Sequence, residues 1–378
     1  MSDLARSIGK SKLAKVPASS ESKAEEEQDD SSSASSVSST GTVVPTTTQK
    51  AAPHIEWTKY FTQELWLEHT FETGEHAKYH MYLTPPATAK TPLMVLHHGA
   101  GSSALSFALF ALEVRRLMPE VGILAVEARE HGSVVYDAGG NVDSSMALTN
   151  LTRDLTTMIG LVQTRMGWDK KDAPSPELLL VGHSLGGAVV IDATKSGALD
   201  PKVLGYAVLD VVEGSAMEAL KHMQAYLRSR PSVFSSIDDA VAWHIRSRTL
   251  RNPESARASV PSLLTEVDAA KWVWKTDLSR TEAYWSDWFG GMSSKFLSAR
   301  GAKLLLLAGT DRLDKELMIG QMQGKFQLQV FPAAGHFLQE DLPDQVAHSV
   351  VEFLKRNDRS ALVLPPKVSD LIAQGKKV

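Results

Sequence analysis

From Trp57 onward, short runs rich in Val, Ile and Leu alternate with longer segments of helical period. Such runs suit strands buried on both faces, so the alternation predicts an α/β chain with a mostly parallel sheet and helices on both of its faces. Two opening antiparallel strands are expected near Trp66–Glu72 and Lys78–Leu83, turned at Thr73-Gly74-Glu75. Buried strands are expected at Leu93–His97, Ile123–Glu127, Leu178–Val181, Val203–Leu209, Leu304–Leu307 and Phe326–Phe331. Ala104–Leu117, Leu148–Arg165 and Ser184–Thr194 have the length of helical crossovers between parallel strands.

One interval breaks this rhythm. About 95 residues separate Leu209 from Leu304, where a crossover needs only one helix. The interval predicts a helical cap, about residues 213–300, inserted between the last strands and lying over the C-terminal edge of the sheet. It holds Trp243, Trp272, Trp274, Trp285 and Trp288, and a helix over Ile237–Arg248 behind a Ser235/Ser236 cap. These aromatics serve either as the cap's own core or as the lining of a peptide groove. Ahead of the domain, which spans residues 54–378, no aromatic residue occurs, Glu25–Asp30 is acidic, and Ser31–Thr40 is almost all Ser and Thr. Residues 1–53 therefore read as a disordered tail without a signal peptide, which points to the cytoplasm or nucleus. A net charge of −4 gives no field for nucleic acid or an anionic membrane, and no apolar run approaches a membrane span.

The chain has no cysteine, so covalent chemistry must use another side chain. Glu177–Val190, reading ELLLVGHSLGGAVV, places Gly182-His183-Ser184-Leu185-Gly186 between a buried strand and a helix of small residues. This is a nucleophile elbow: the glycines permit a tight turn, and the serine hydroxyl projects above the sheet at a helix N-terminus. A serine needs a base, and His336, after the final expected strand, is where this architecture supplies it. Two carboxylates at strand ends, Asp210 and Asp311, could orient that histidine, and the residues alone leave both open. The glycine-rich loop His97–Ser102 offers the Ala100 N–H, which with the N–H of Leu185 would bind a tetrahedral oxygen. His97 and His98 lack a third ligand at metal spacing nearby, so no metal is expected, and Glu127–Gly132 reads as a structural turn.

Long runs outside these motifs carry a further signal. HHGAGSSALSFA (His97–Ala108), GHSLGGA (Gly182–Ala188), LDVVEGSAMEAL (Leu209–Leu220), RNPESAR (Arg251–Arg257), TEAYWSDWFGGMS (Thr281–Ser293) and LLLLAGTDRLDKELMIGQMQGKFQLQV (Leu304–Val330) resemble the protein phosphatase methylesterases, serine esterases of the α/β-hydrolase superfamily. The resemblance implies the α/β-hydrolase fold, no cofactor, and Asp210, in the DVVEG run, as the acid. It implies hydrolysis of the methyl ester on the C-terminal leucine carboxylate of the type 2A protein phosphatase catalytic subunit, with methanol released, and permits an added role in holding inactive phosphatase. A generic carboxylesterase or lipase, or a non-catalytic phosphatase-binding protein, are the alternatives. Trp285, Trp288 and Phe289, and Gln321, Met322 and Gln323, are candidates either for contacts to the partner or for core positions.

Overall fold

The computed structural model describes residues 56–170, 174–199, 202–309 and 313–358. The expected tail, residues 1–53, lies outside them, and so does Asp311. The main sheet contains β1 (Gln63–Thr70), β2 (His76–Thr84), β3 (Leu93–His97), β4 (Gly122–Val126), β5 (Val134–Tyr136), β6 (Leu178–His183) and β7 (Val203–Leu209). A separate pair, β8 (Leu264–Asp268) and β9 (Lys271–Trp274), precedes the last two strands of the main sheet, β10 (Ala302–Leu307) and β11 (Gln327–Val330). The order across the sheet is β1-β2-β4-β3-β6-β7-β10-β11, with β5 joined to β2. Pairing is antiparallel at β1/β2, β2/β4 and β2/β5 and parallel at every later pair, which is the mostly parallel sheet expected from the sequence.

The physical basis is visible along β3. All five of its residues are buried, and period 2 sends Leu93 and Val95 to one face, Met94 and Leu96 to the other. The first face packs on the helices Leu148–Met166 and Leu185–Ser196; the second packs on Ala108–Leu117 and Pro343–Asn357. The central strands β3, β4 and β6 are buried along their whole length because both of their faces are core, whereas the edge strands β1 and β11 are only partly buried. Burial of this kind contributes about 25 cal/mol per Å² of apolar surface removed from water.

Between β7 and β10 the chain forms helices Glu213–Ser229, Ile237–Arg246, Pro253–Ser259, Trp285–Phe289 and Met292–Ser298. The Ser236 side chain accepts a hydrogen bond from the Asp239 N–H at 3.0 Å, as a cap should. That helix stops at Arg246, two residues short of expectation, and Arg248 turns away from the helical path at φ 59°. The insert is also not purely helical, since it contains the β8/β9 hairpin. Thr265, Val267, Trp272 and Val273 favour an extended pleated surface, and the tight turn uses Ala270 at φ 56°. Phe234, Ala240, Leu250, Ala256, Val260 and Leu264 form its own small core, with Trp243, Trp272 and Trp274 packed against it.

Candidate active site

Ser184 follows β6 directly and adopts φ 51°, ψ −120°, a conformation that non-glycine residues rarely hold. Its N–H donates to the Leu209 carbonyl at 3.0 Å, so the turn is tied into the sheet. Close packing beneath it requires glycine. A Cβ at Gly182 would stand 2.1 Å from the Gly186 carbonyl oxygen, and one at Gly186 would stand 2.2 Å from the His97 carbonyl oxygen. Leu185 opens the following helix, and its N–H is among those with no carbonyl a turn earlier.

His336 comes after β11, on the loop expected to carry it, and its Nδ1 donates to Asp210 Oδ2 at 2.8 Å. The other Asp210 oxygen accepts the Ala308 N–H at 2.9 Å. The Asp210 carboxylate is fully buried (0 % exposed), whereas the His336 imidazole is 34 % exposed. A buried carboxylate on Nδ1 selects the tautomer that leaves Nε2 free of a proton and directed to chemistry. Asp210 is thus at the imidazole, while Asp311, the other carboxylate open at the level of residues, lies outside the described residues. The loop before His336 is held by Asp341: its Oδ2 accepts the Gly335 N–H at 2.6 Å and its Oδ1 the Arg251 N–H at 2.8 Å.

The glycine-rich loop is set by a group of buried histidines that the sequence did not single out for this task. His98 donates from Nδ1 to the Gly99 carbonyl at 2.8 Å and accepts the Ala128 N–H on Nε2 at 3.0 Å. His131 donates from Nδ1 to the Arg129 carbonyl and accepts the Gly101 N–H on Nε2, both at 2.8 Å. His97 donates from Nδ1 to the His98 carbonyl at 2.9 Å. Burial drives the pKa of His97 and of His131 down to about 3, so both rings stay neutral. Glu127–Gly132 is thus a structural turn that supports the loop. Arg129 within it is buried and paired to Asp154, with 2.5 and 2.9 Å contacts.

His183, the elbow residue, donates from Nε2 to the His336 carbonyl at 2.9 Å, and burial first, then the neighbouring His336, lower its pKa to about 3. It joins the nucleophile turn to the histidine loop. The only advance signal was its place in the elbow.

Ser184, Leu185, His336, Ala100 and Gly99 line one cavity of about 640 Å³. Trp243, Trp274, Trp285, Trp288 and Phe289, from the segment between β7 and β10, also line it, so these aromatics are lining and core together, while Trp272 is not among them. Gln321, Met322 and Gln323 stand apart from the cavity lining, and Met322 is exposed. Among the described residues, no helix is long and apolar enough to cross a membrane.

Comparisons with known proteins bear on the family and the fold. The pattern of the alpha/beta hydrolase family matches residues 94–349. A protein phosphatase methylesterase 1 of Aspergillus oryzae is 57 % identical over 84 % of this chain and 75 % of its own length. The protein of that name from Aspergillus fumigatus is 53 % identical over 99 % of this chain and 93 % of its own, and that from Schizosaccharomyces pombe is 44 % identical over 83 % and 88 %. Among solved structures, an E-2-(acetamidomethylene)succinate hydrolase superposes with a TM-score of 0.57 at 17 % identity, covering 77 % of this chain and all (100 %) of that one. A peroxisomal alpha-beta-hydrolase of Saccharomyces cerevisiae gives 0.56 at 12 % identity over 83 % and 95 %. At such identities these two speak for the fold alone. With a serine at a strained strand-to-helix turn of an α/β sheet, and 44–57 % identity over most of its length to these proteins, the chain belongs to the protein phosphatase methylesterase family, carboxylic ester hydrolases of the α/β-hydrolase fold.

Proposed function

We propose that this protein removes the methyl ester from the C-terminal leucine carboxylate of the type 2A protein phosphatase catalytic subunit, with Ser184, His336 and Asp210 as its catalytic triad. The observation that carries the reading is the 2.8 Å bond from His336 Nδ1 to Asp210, beside Ser184 in one cavity. In the first half-reaction, Ser184 Oγ attacks the ester carbonyl while His336 Nε2 takes its proton. The N–H groups of Ala100 and Leu185 stabilise the oxyanion, and the same imidazole protonates the departing methanol. Water then repeats the sequence on the acyl-serine, giving the free carboxylate and restoring Ser184. Asp210 keeps the imidazole in its working tautomer and stabilises the imidazolium between these steps.

In this reading residues 213–300 form a cap over the site, residues 1–53 stand outside the reaction domain, and the enzyme works in the cytoplasm or nucleus where its partner is. The test is demethylation of purified, carboxymethylated phosphatase by the wild type and by Ser184→Ala. Loss of both methanol release and fluorophosphonate labelling in the variant supports the assignment. Turnover above a tenth of wild type in the variant removes Ser184 as nucleophile, and a wild type that cleaves small esters but leaves the phosphatase methylated replaces this function with a generic carboxylesterase.

A further inference from the structure

One cation on the wall of this cavity forms no ion pair with a carboxylate among the described residues. Arg230, at the end of the Glu213–Ser229 helix, is half-buried and lays its guanidinium over the Trp274 ring, 3.8 Å from the centroid. The indole under it is fixed by its own hydrogen bond, Nε1 to the Pro231 carbonyl at 2.7 Å, and by edge contacts to Phe234, Trp243 and His244. Among the described residues the guanidinium makes no ion pair and no hydrogen bond. Asp277, the carboxylate that acts on it electrostatically, already accepts the Ser279 N–H and hydroxyl. Stacking covers a face of the guanidinium and leaves its in-plane donors available, which is the arrangement that takes a carboxylate in a bidentate grip.

The surrounding charges point the same way. Arg248 lines the same cavity from an exposed position; Arg246, also exposed, stands 3.9 Å from Asp239, and Arg251 lies 3.8 Å from Asp341 while donating to the Ala333 carbonyl. Glu340 is the sole carboxylate among the described lining residues. It is buried, accepts the Ser259 hydroxyl, and burial holds its carboxyl well above the ordinary range, so it does not neutralise the arginines. A half-buried cation that is partly desolvated and lacks an acceptor among the described residues is costly to keep, and the cost is offset when a ligand supplies the anion. The scissile methyl ester is neutral and cannot supply it.

We propose that Arg230, stacked on Trp274, is a specificity-determining subsite for an acidic side chain in the peptide segment that precedes the scissile ester. The proposal rests on the esterase reading of this cavity and adds to it the charge of the substrate. Binding at such a distance from the reacting carbon orients the ester, so the preference should show in kcat/KM.

The test uses the full chain and peptides of the form acetyl-(Gly)5-Leu, in which one glycine at a time is Asp, Asn or Lys, made as C-terminal amides, methyl esters and free acids. The C-terminal amides, which the enzyme does not cleave, report binding through tryptophan fluorescence; the methyl esters report kcat/KM. At one or two neighbouring positions, wild type should bind the Asp amide about tenfold more tightly than the Asn amide, with the difference shrinking as salt rises. Arg230→Gln should erase that difference, Arg230→Lys should keep part of it, and Arg230→Glu should favour Lys at the same position. Equal binding of every Asp/Asn pair by wild type, or a difference that survives in Arg230→Gln, overturns the proposal. So does an Arg230-dependent preference for the free-acid peptide with no Asp/Asn difference, which would assign the guanidinium to the product carboxylate. If no methyl ester is cleaved, the proposed function fails, while the amide series still decides the subsite.

Discussion

Ser184 and Asp210 occupy equivalent places on neighbouring strands and share one unusual backbone twist, φ 51° and φ 52°. The last paired residues of β6 and β7 are His183 and Leu209, and each strained residue is the next along its strand. Each also ties its N–H to the adjacent strand, Ser184 to the Leu209 carbonyl and Asp210 to that of Leu306. The sheet thus holds two residues in a conformation costing on the order of 1–3 kcal/mol apiece, and both side chains leave its edge together.

Strain at Ser184 predicts a difference between two inactive variants. Ser184→Gly and Ser184→Ala both lose the hydroxyl, but only glycine accepts φ 51° without a Cβ penalty. The glycine variant should be the more stable by about 1 kcal/mol in a denaturant titration, even after its greater chain entropy. An alanine variant equal to or above it would mean that the turn stores no strain.

Asp210→Asn should lower turnover by roughly three to four orders of magnitude, because an amide nitrogen facing Nδ1 favours the wrong imidazole tautomer. The fold should persist, since the asparagine oxygen can still accept the Ala308 N–H now held at 2.9 Å. Steady-state rates alongside a thermal melt check both halves; a variant within tenfold of wild type would return Asp311 to consideration.

Gly99→Ala should damage catalysis more than stability. Its Cβ would lie 3.0 Å from Ser184 Cβ and 3.0 Å from His183 Nδ1, pressing on the nucleophile and on the ring that joins it to the His336 loop. A tenfold or greater fall in kcat is expected, since misplacements of this scale can cost about a hundredfold. By contrast Gly182→Ala and Gly186→Ala meet backbone oxygens at 2.1 and 2.2 Å, and should reduce the yield of folded protein.

Stability should fall as pH drops below about 6.5. Burial lowers the folded-state pKa of His97, His131 and His183 to about 3 and that of His244 to about 4, all below the usual value for an unfolded histidine. Between those limits the unfolded chain binds more protons, so each histidine removes up to about 1.4 kcal/mol per pH unit on acidification. Glu340 and Asp341, whose pKa values burial raises, act oppositely: their share of stability is present at low pH and lost as pH rises through those values. Urea midpoints from pH 7 to 4.5 should show net proton uptake on unfolding, smaller by about one in His244→Asn. A pH-independent midpoint would contradict the neutral buried rings.

The sequence by itself determined the elements whose signals are local. β3 and β7 begin and end where their apolar runs do, because a strand buried on both faces must be apolar throughout. The elbow at Gly182–Gly186 was equally readable, since its turn, its clearances and its helix all lie within a few residues. The β8/β9 hairpin escaped because short, partly exposed strands carry little period, and β5 is three residues long. Only the tertiary structure decided that Asp210 meets His336, 126 residues away in the chain, and that His98 and His131 brace the Gly99–Gly101 loop. It also decided that Arg230 lies on Trp274 with no acidic partner among the described residues. Periodicity and turn chemistry report what a residue does to its own stretch of chain; distances of 2.8 Å between distant residues depend on how sheet and cap pack, and packing is a property of the assembled core.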